Sequence, residues 1–142
     1  MVAAATELIL ETFRLNGRLL EAGDELVADL GLTSARWQVL GAIQASQVPL
    51  SVAQIARNMG LSRQAVQRLA NEMTQDGLLQ FRDNPHHSRA KLAVMSEKGR
   101  KAFTSAMKLQ RRWVAKLAGD ADPAEIAAAA AVLRMLRSRL EA

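Results

Sequence analysis

The stretch LSVAQIARNMGLSRQAVQRLANEMTQDGLLQFRDNPHHSRAKLAVMSEKGRK, residues 50–101, decides how the rest of the chain is read. Ser51-Val52-Ala53-Gln54 has the form of a capping box, in which the serine oxygen takes a free helix N–H and the Gln reaches back to the cap. It opens a short helix over Ser51–Met59, and Gly60-Leu61 supplies a turn. Ser62 caps a second helix that runs to Asp76 and stops at Gly77. Two short apolar runs follow, Leu78–Arg82 and Ala90–Met95, flanking the polar, basic tip Asp83-Asn84-Pro85-His86-His87-Ser88-Arg89. Asn84 and Pro85 carry turn chemistry. Helix, glycine turn and helix make a helix-turn-helix, whose second helix enters a major groove. The strand, tip and strand directly after it make a β-wing. The expected fold is therefore mainly α with a small β-wing: a winged helix-turn-helix with six helices.

Outside this stretch a first helix is expected over Thr6–Leu30, with Leu8, Leu15, Leu19, Leu26 and Leu30 on one face and Phe13, Leu20 and Val27 on a neighbouring one. A surface helix of a monomer shows a single apolar stripe, so two stripes call for burial on two sides. Gly31 ends this helix, and Thr33-Ser34 starts another that runs to about Ser46, before Pro49 breaks the pattern. A fifth helix is expected from Ser96 to about Ala118. Asp122-Pro123-Ala124-Glu125 opens a sixth, with Leu133, Leu136 and Leu140 set among Arg134, Arg137 and Arg139. The end helices carry more apolar surface than a compact monomer covers, and packing them across a two-fold axis removes it from water. Leu8, Leu15, Leu19, Leu133, Leu136 and Leu140 are the candidate dimer-interface residues. The chain reads as one domain, residues 1–142, with a DNA-binding lobe over 32–95 and dimerisation helices over 6–30 and 96–142.

Charge sharpens this picture. The chain carries a net +5, yet residues 1–35 hold six acids against Arg14 and Arg18, a balance of −4 that leaves +9 on the remainder. One face is suited to an anion and another is not. A basic face alone reads equally well as a solvated one; here it coincides with the helix-turn-helix. The absence of cysteine excludes disulfides, thiolate metal sites and thiol redox sensing by this chain. Met1-Val2-Ala3-Ala4-Ala5 lacks the basic start of a signal peptide, and no apolar run approaches the roughly 18 residues of a membrane span. The expected location is cytoplasmic, with no membrane partner.

On a helical wheel the second helix of the motif divides into two arcs. Ala65, Val66, Leu69, Ala70 and Met73 should pack on the preceding helices, while Arg63, Gln64, Gln67, Arg68 and Asn71 face outward. Arg reads guanine bidentately and Gln or Asn reads adenine. An ordinary solvated face would mix Glu with Lys for i,i+4 support, whereas Glu72 and Asp76 come only in the last turns. Ser51 and Ser62 act as caps, and the helix N-termini they open are natural phosphate sites. Along the wing, Arg82, His86, His87, Ser88, Arg89 and Lys91 are the candidate DNA contacts, Arg89 in a minor groove. Adjacent histidines without Cys or a nearby acid cluster point to phosphates rather than metal. No cofactor and no metal are expected, and no nucleophile, phosphate loop or metal cluster points to an enzyme.

The order of elements, with Leu32-Thr33, Trp37-Gln38-Val39-Leu40, Gln54-Ile55-Ala56, Gly77-Leu78-Leu79 and Met95-Ser96-Glu97-Lys98-Gly99, resembles the MarR family of bacterial transcription regulators over essentially the whole chain. The resemblance implies a winged helix-turn-helix homodimer whose first, fifth and sixth helices form the dimer domain. It implies a wing with an Asp-x-Arg element, the Asp bracing a minor-groove Arg. Here Arg89 matches the Arg, but His87 stands where the Asp would be. The family's small aromatic or phenolic effectors bind between dimer domain and winged helix, which places Phe13, Arg14, Trp37 and Trp113 as candidate effector-pocket residues, with Phe13 and Trp37 also reading as plain core. The implied function is a sequence-specific transcription regulator, a repressor acting on a pseudo-palindromic operator and released by a small ligand. The alternative is a winged helix used as a protein-interaction module, which would need no Gln/Arg reading face.

Overall fold

The computed structural model describes residues 1–142. In chain order it has α1 (Val2–Val27), a 3-10 turn over Ala28–Leu30, α2 (Ser34–Ala45), β1 (Leu50–Ser51), α3 (Val52–Met59), α4 (Arg63–Gln75), β2 (Leu79–Arg82), β3 (Leu92–Met95), α5 (Glu97–Ala118) and α6 (Pro123–Glu141). The six helices and small antiparallel sheet are those of a winged helix. None of the helices is long and apolar enough to cross a membrane.

The caps read from the sequence form as hydrogen bonds. Gln54 N donates to Ser51 Oγ at 3.3 Å while Ser51 N donates to Gln54 Oε1 at 2.9 Å, a complete capping box at the start of α3. Ser62 accepts from Ala65 N at 3.1 Å, and Asp122 accepts from Ala124 N at 2.9 Å, with Pro123 in the first turn of α6. Gly60 and Gly77 close α3 and α4 in the left-handed region, with φ of +68° and +79°, conformations a side chain would resist.

Four features differ from the sequence expectation. The first helix begins at Val2, ahead of Thr6, because Ala3, Ala4 and Ala5 are strong helix formers, and its last turn tightens to 3-10 form. Leu50 and Ser51 form an unexpected edge strand, pairing with Ala93 and Leu92 so that the sheet order is β1-β3-β2. The wing strands are shorter than their apolar runs: Leu78 N is spent on Met73 O at the stop of α4, and Ala90 is taken into the tip. Ala65 is exposed, while Val66, Ala70 and Met73 are fully buried and Leu69 partly so.

By contacts the chain forms two compact units, Met1–Gln110 and Arg111–Ala142. The first holds the core, centred on Leu40, Ile55, Met73, Leu79, Val39 and Val66. Each large apolar side chain fully removed from water contributes about 1.5–3 kcal/mol. Within this unit α1 is fastened to α2. Ser34 N donates to Asp24 Oδ1 at 2.7 Å, and Ser34 Oγ donates to Leu20 O at 2.9 Å. Gly23 faces that hydroxyl so closely that a Cβ there would lie well inside 3.0 Å of it. The sequence MSEKG also finds its reason: Ser96 Oγ donates to Gly77 O and accepts from Gly99 N, and a Cβ on Gly99 would strike the Leu78 carbonyl. The second unit comprises the end of α5, a turn at Gly119 and α6, in which no residue is buried. Ile126, Val132, Leu133, Met135 and Leu140 are all exposed.

Candidate nucleic-acid interface

Directly after its Ser62 cap, α4 presents two polar stripes. Arg63, Gln67 and Asn71 lie four residues apart on the first; Gln64 and Arg68 lie on the second. All five are exposed, and their helix is held from beneath by Val66, Ala70 and Met73. Gln67 Nε2 donates to Asn71 Oδ1 at 2.9 Å, which fixes both amides relative to the helix.

Arg63, Gln67 and Asn71 face a concave surface of about 470 Å³ whose opposite wall is the wing, with Arg89, Ala90 and Lys91. Its floor is Ser51, Val52 and Ala53 at the start of α3, with Phe81 of β2. Three cations and no carboxylate line it. Gln64, Ser62, Arg68, Arg82, His86, His87 and Ser88 are exposed but lie outside that lining. The arrangement thus brings together Ser51, Arg63, Gln67, Asn71, Arg89 and Lys91 from the sequence-derived set. Ser51 is buried and its hydroxyl is occupied as a cap, so what it offers a ligand is the helix N-terminus it opens.

The far end of α4 is anchored by residues that sequence patterns gave no reason to join. Arg36 of α2, only 18% exposed, bonds Asp76 Oδ2 at 2.8 Å and reaches Gly31 O at 3.4 Å. Lys98 Nζ donates to the Asp76 carbonyl at 2.8 Å. The C-terminal end of α4 is therefore tied to α2 and to the start of α5 at once. Val52, Ala53 and Phe81 were likewise missed, because apolar residues carry no sign of an interface in sequence alone.

The candidate effector residues differ in exposure. Phe13 is 71% exposed rather than core, and Arg14 is paired with Glu11 on the same helix. Trp37 packs partly buried against the core, and Trp113 is half-buried on α5. Of the candidate dimer residues, Leu15, Leu19, Leu133 and Leu140 are exposed, and Leu8 and Leu136 half-buried.

A family model described as the MarR family matches residues 30–90. An uncharacterised protein of Mycobacterium tuberculosis is 36% identical over 135 residues, covering 95% of this chain and 93% of its own length. The chain belongs to the MarR family. A second relative, the transcriptional activatory protein BadR of Rhodopseudomonas palustris, is 31% identical over 98 residues, 68% of this chain and 56% of that protein. The fold superposes on the M. tuberculosis transcriptional regulator MosR, solved in complex with DNA, with a TM-score of 0.78 at 24% identity, covering 94% of this chain and 98% of that one. In this MarR-type chain the stretch matched by the family model contains α2, α3, α4, the first wing strand β2 and every residue of the concave surface except Lys91, and ends just before β3.

Proposed function

We propose that the chain is a sequence-specific DNA-binding regulator that acts as a homodimer on a pseudo-palindromic operator. The observation that carries the reading is the concave surface between α4 and the wing: Arg63 on one wall and Arg89 and Lys91 on the other supply positive charge, and Gln67 and Asn71 continue the α4 wall beyond Arg63. Cations on two walls position a phosphate backbone, while the carboxamides address base edges. Gln64 and Arg68 extend the reading face, and Arg82, His86, His87 and Ser88 present further donors along the wing. Homodimerisation is supported by the exposed Leu15 and Leu19 of α1 and Leu133 and Leu140 of α6, apolar surface that a second copy removes from water.

The polarity of control follows from operator position. A site overlapping a promoter gives repression, the reading adopted here; a site upstream gives activation, the role in the name of the R. palustris relative. A phenolic or aromatic effector, taken on the family resemblance near Phe13, Arg14, Trp37 and Trp113, would release the operator. Selection of genomic fragments on the purified protein, followed by footprinting, tests the reading. The expected result is one protected pseudo-palindrome with half-site centres about 10 bp apart. Fragments recovered without a shared site would leave a protein-interaction module as the better description.

A further inference from the structure

The wing tip lacks the acidic brace that the family pattern places before its arginine, yet its backbone is closely tied. We propose that Asn84 is the positioning residue that sets Arg89 and Lys91 against the reading helix, an inference that rests on the DNA-binding reading above. Asn84 follows β2 after a single residue, at the point where the chain leaves the sheet for the tip. Its side chain is partly buried and uses both ends. Oδ1 accepts from His86 N at 3.0 Å, and Nδ2 crosses the loop to donate to Ala90 O at 3.0 Å. Two backbone turns stack on this clasp: His87 N donates to Asn84 O, and Ala90 N donates to His87 O, each at 3.2 Å.

The consequence falls on Ala90. Its N–H is held by the His87 carbonyl and its C=O by the Asn84 amide. These two groups belong to the peptide planes that join Ala90 to Arg89 and to Lys91. One of the two peptide planes flanking each cation is therefore held, which narrows the directions in which Arg89 and Lys91 leave the backbone, one on each side of Ala90 in the concave wall. A carboxylate brace holds an arginine by its guanidinium. The Asn84 clasp instead holds the backbone on which two cations stand and leaves both guanidinium and ammonium free for phosphates or a minor groove. Preorganisation of this kind raises affinity by reducing what must be ordered on binding.

The test is a set of variants titrated by fluorescence anisotropy on the selected operator at several salt concentrations. Each ordering hydrogen bond contributes roughly fivefold, so Asn84→Ala should weaken binding about fivefold to twentyfold. Asn84→Ser keeps an acceptor for His86 N but cannot reach Ala90, and should fall between the two. The salt slope should stay that of the parent in both, because no cation is lost. In an Arg89→Ala, Lys91→Ala background the Asn84→Ala change should matter less than about twofold, since a positioning residue has nothing left to position. Amide exchange at Ala90 should quicken in Asn84→Ala while the melting temperature stays at the parent value. Full affinity in Asn84→Ala, or an equal loss in both backgrounds, would overturn the proposal. If the parent protein bound no duplex, the DNA reading itself would fail, and unchanged exchange at Ala90 would separately dispose of the clasp.

Discussion

Gln67→Ala removes a side chain that touches nothing in the core, so its effect on folding should be within about 0.5 kcal/mol. Its effect on DNA should be far larger. Gln67 is exposed on the stripe that faces the wing, and its amide is already held by Asn71 at 2.9 Å. Ordering a free glutamine costs up to about 1.5–2 kcal/mol of rotamer entropy, and part of that cost is met before DNA arrives. A preorganised bidentate contact discriminates by about 1–3 kcal/mol, or roughly fivefold to 150-fold between the preferred base pair and its replacements. Gln67→Ala should remove that discrimination at one position per half-site and leave the salt slope unchanged, because no charge is lost. Asn71→Ala should weaken Gln67 as well, so the double variant should cost less than the sum of the singles by at least about 0.5 kcal/mol. The assay is competition binding over a randomised operator library at fixed salt, with each variant's melting temperature as control. An equal loss of affinity for all sequences, with the base preference intact, would refute direct reading by Gln67.

Four further outcomes follow from the same geometry. Arg89→Ala should weaken binding to operator and unrelated duplex alike and reduce the salt slope by about one unit per chain; a fully retained slope would remove Arg89 from the phosphate contacts. Gly23→Ala should destabilise by about 1–3 kcal/mol through crowding of Ser34 Oγ, yet should stabilise in a Ser34→Ala background, where the alanine's helix preference of about 1 kcal/mol is no longer opposed. Chemical denaturation of the four proteins reads this directly, and destabilisation in both backgrounds would count against the close contact. Leu133→Asp, on the exposed apolar face of α6, should shift the protein from dimer to monomer in sedimentation; an unmoved dimer would place the interface elsewhere. Arg36→Ala should loosen the end of α4 and lower operator affinity without touching DNA, with partial recovery in Arg36→Lys; full affinity in Arg36→Ala would make the anchor irrelevant to reading.

The caps, the order of the helices and the exposed polar face of α4 were legible because they depend on neighbours a few residues apart. Ser51 with Gln54, Ser62 with Ala65 and Asp122 with Ala124 are such pairs. The strand Leu50–Ser51 was not legible, because two residues cannot show a period and its partner lies some forty residues on, in β3. Phe13 illustrates a different limit. Periodicity marked an apolar stripe, but whether a stripe is covered by the same chain depends on packing, and here it is exposed. Arg36 and Asp76 are forty residues apart and meet only through the fold. Asn84 was legible as a turn residue; that its amide crosses the tip to Ala90 is a property of the closed loop.

The most direct measurement is the affinity of the purified protein for its selected operator and for an unrelated duplex of equal length, each followed from low to physiological salt. A reader of sequence built on Arg63, Gln67, Asn71 and Arg89 should bind both more tightly as salt falls, with a steep linear dependence in each. It should also prefer the operator by at least about a thousandfold at physiological salt. Equal affinity for the two duplexes, or binding indifferent to salt, would contradict it.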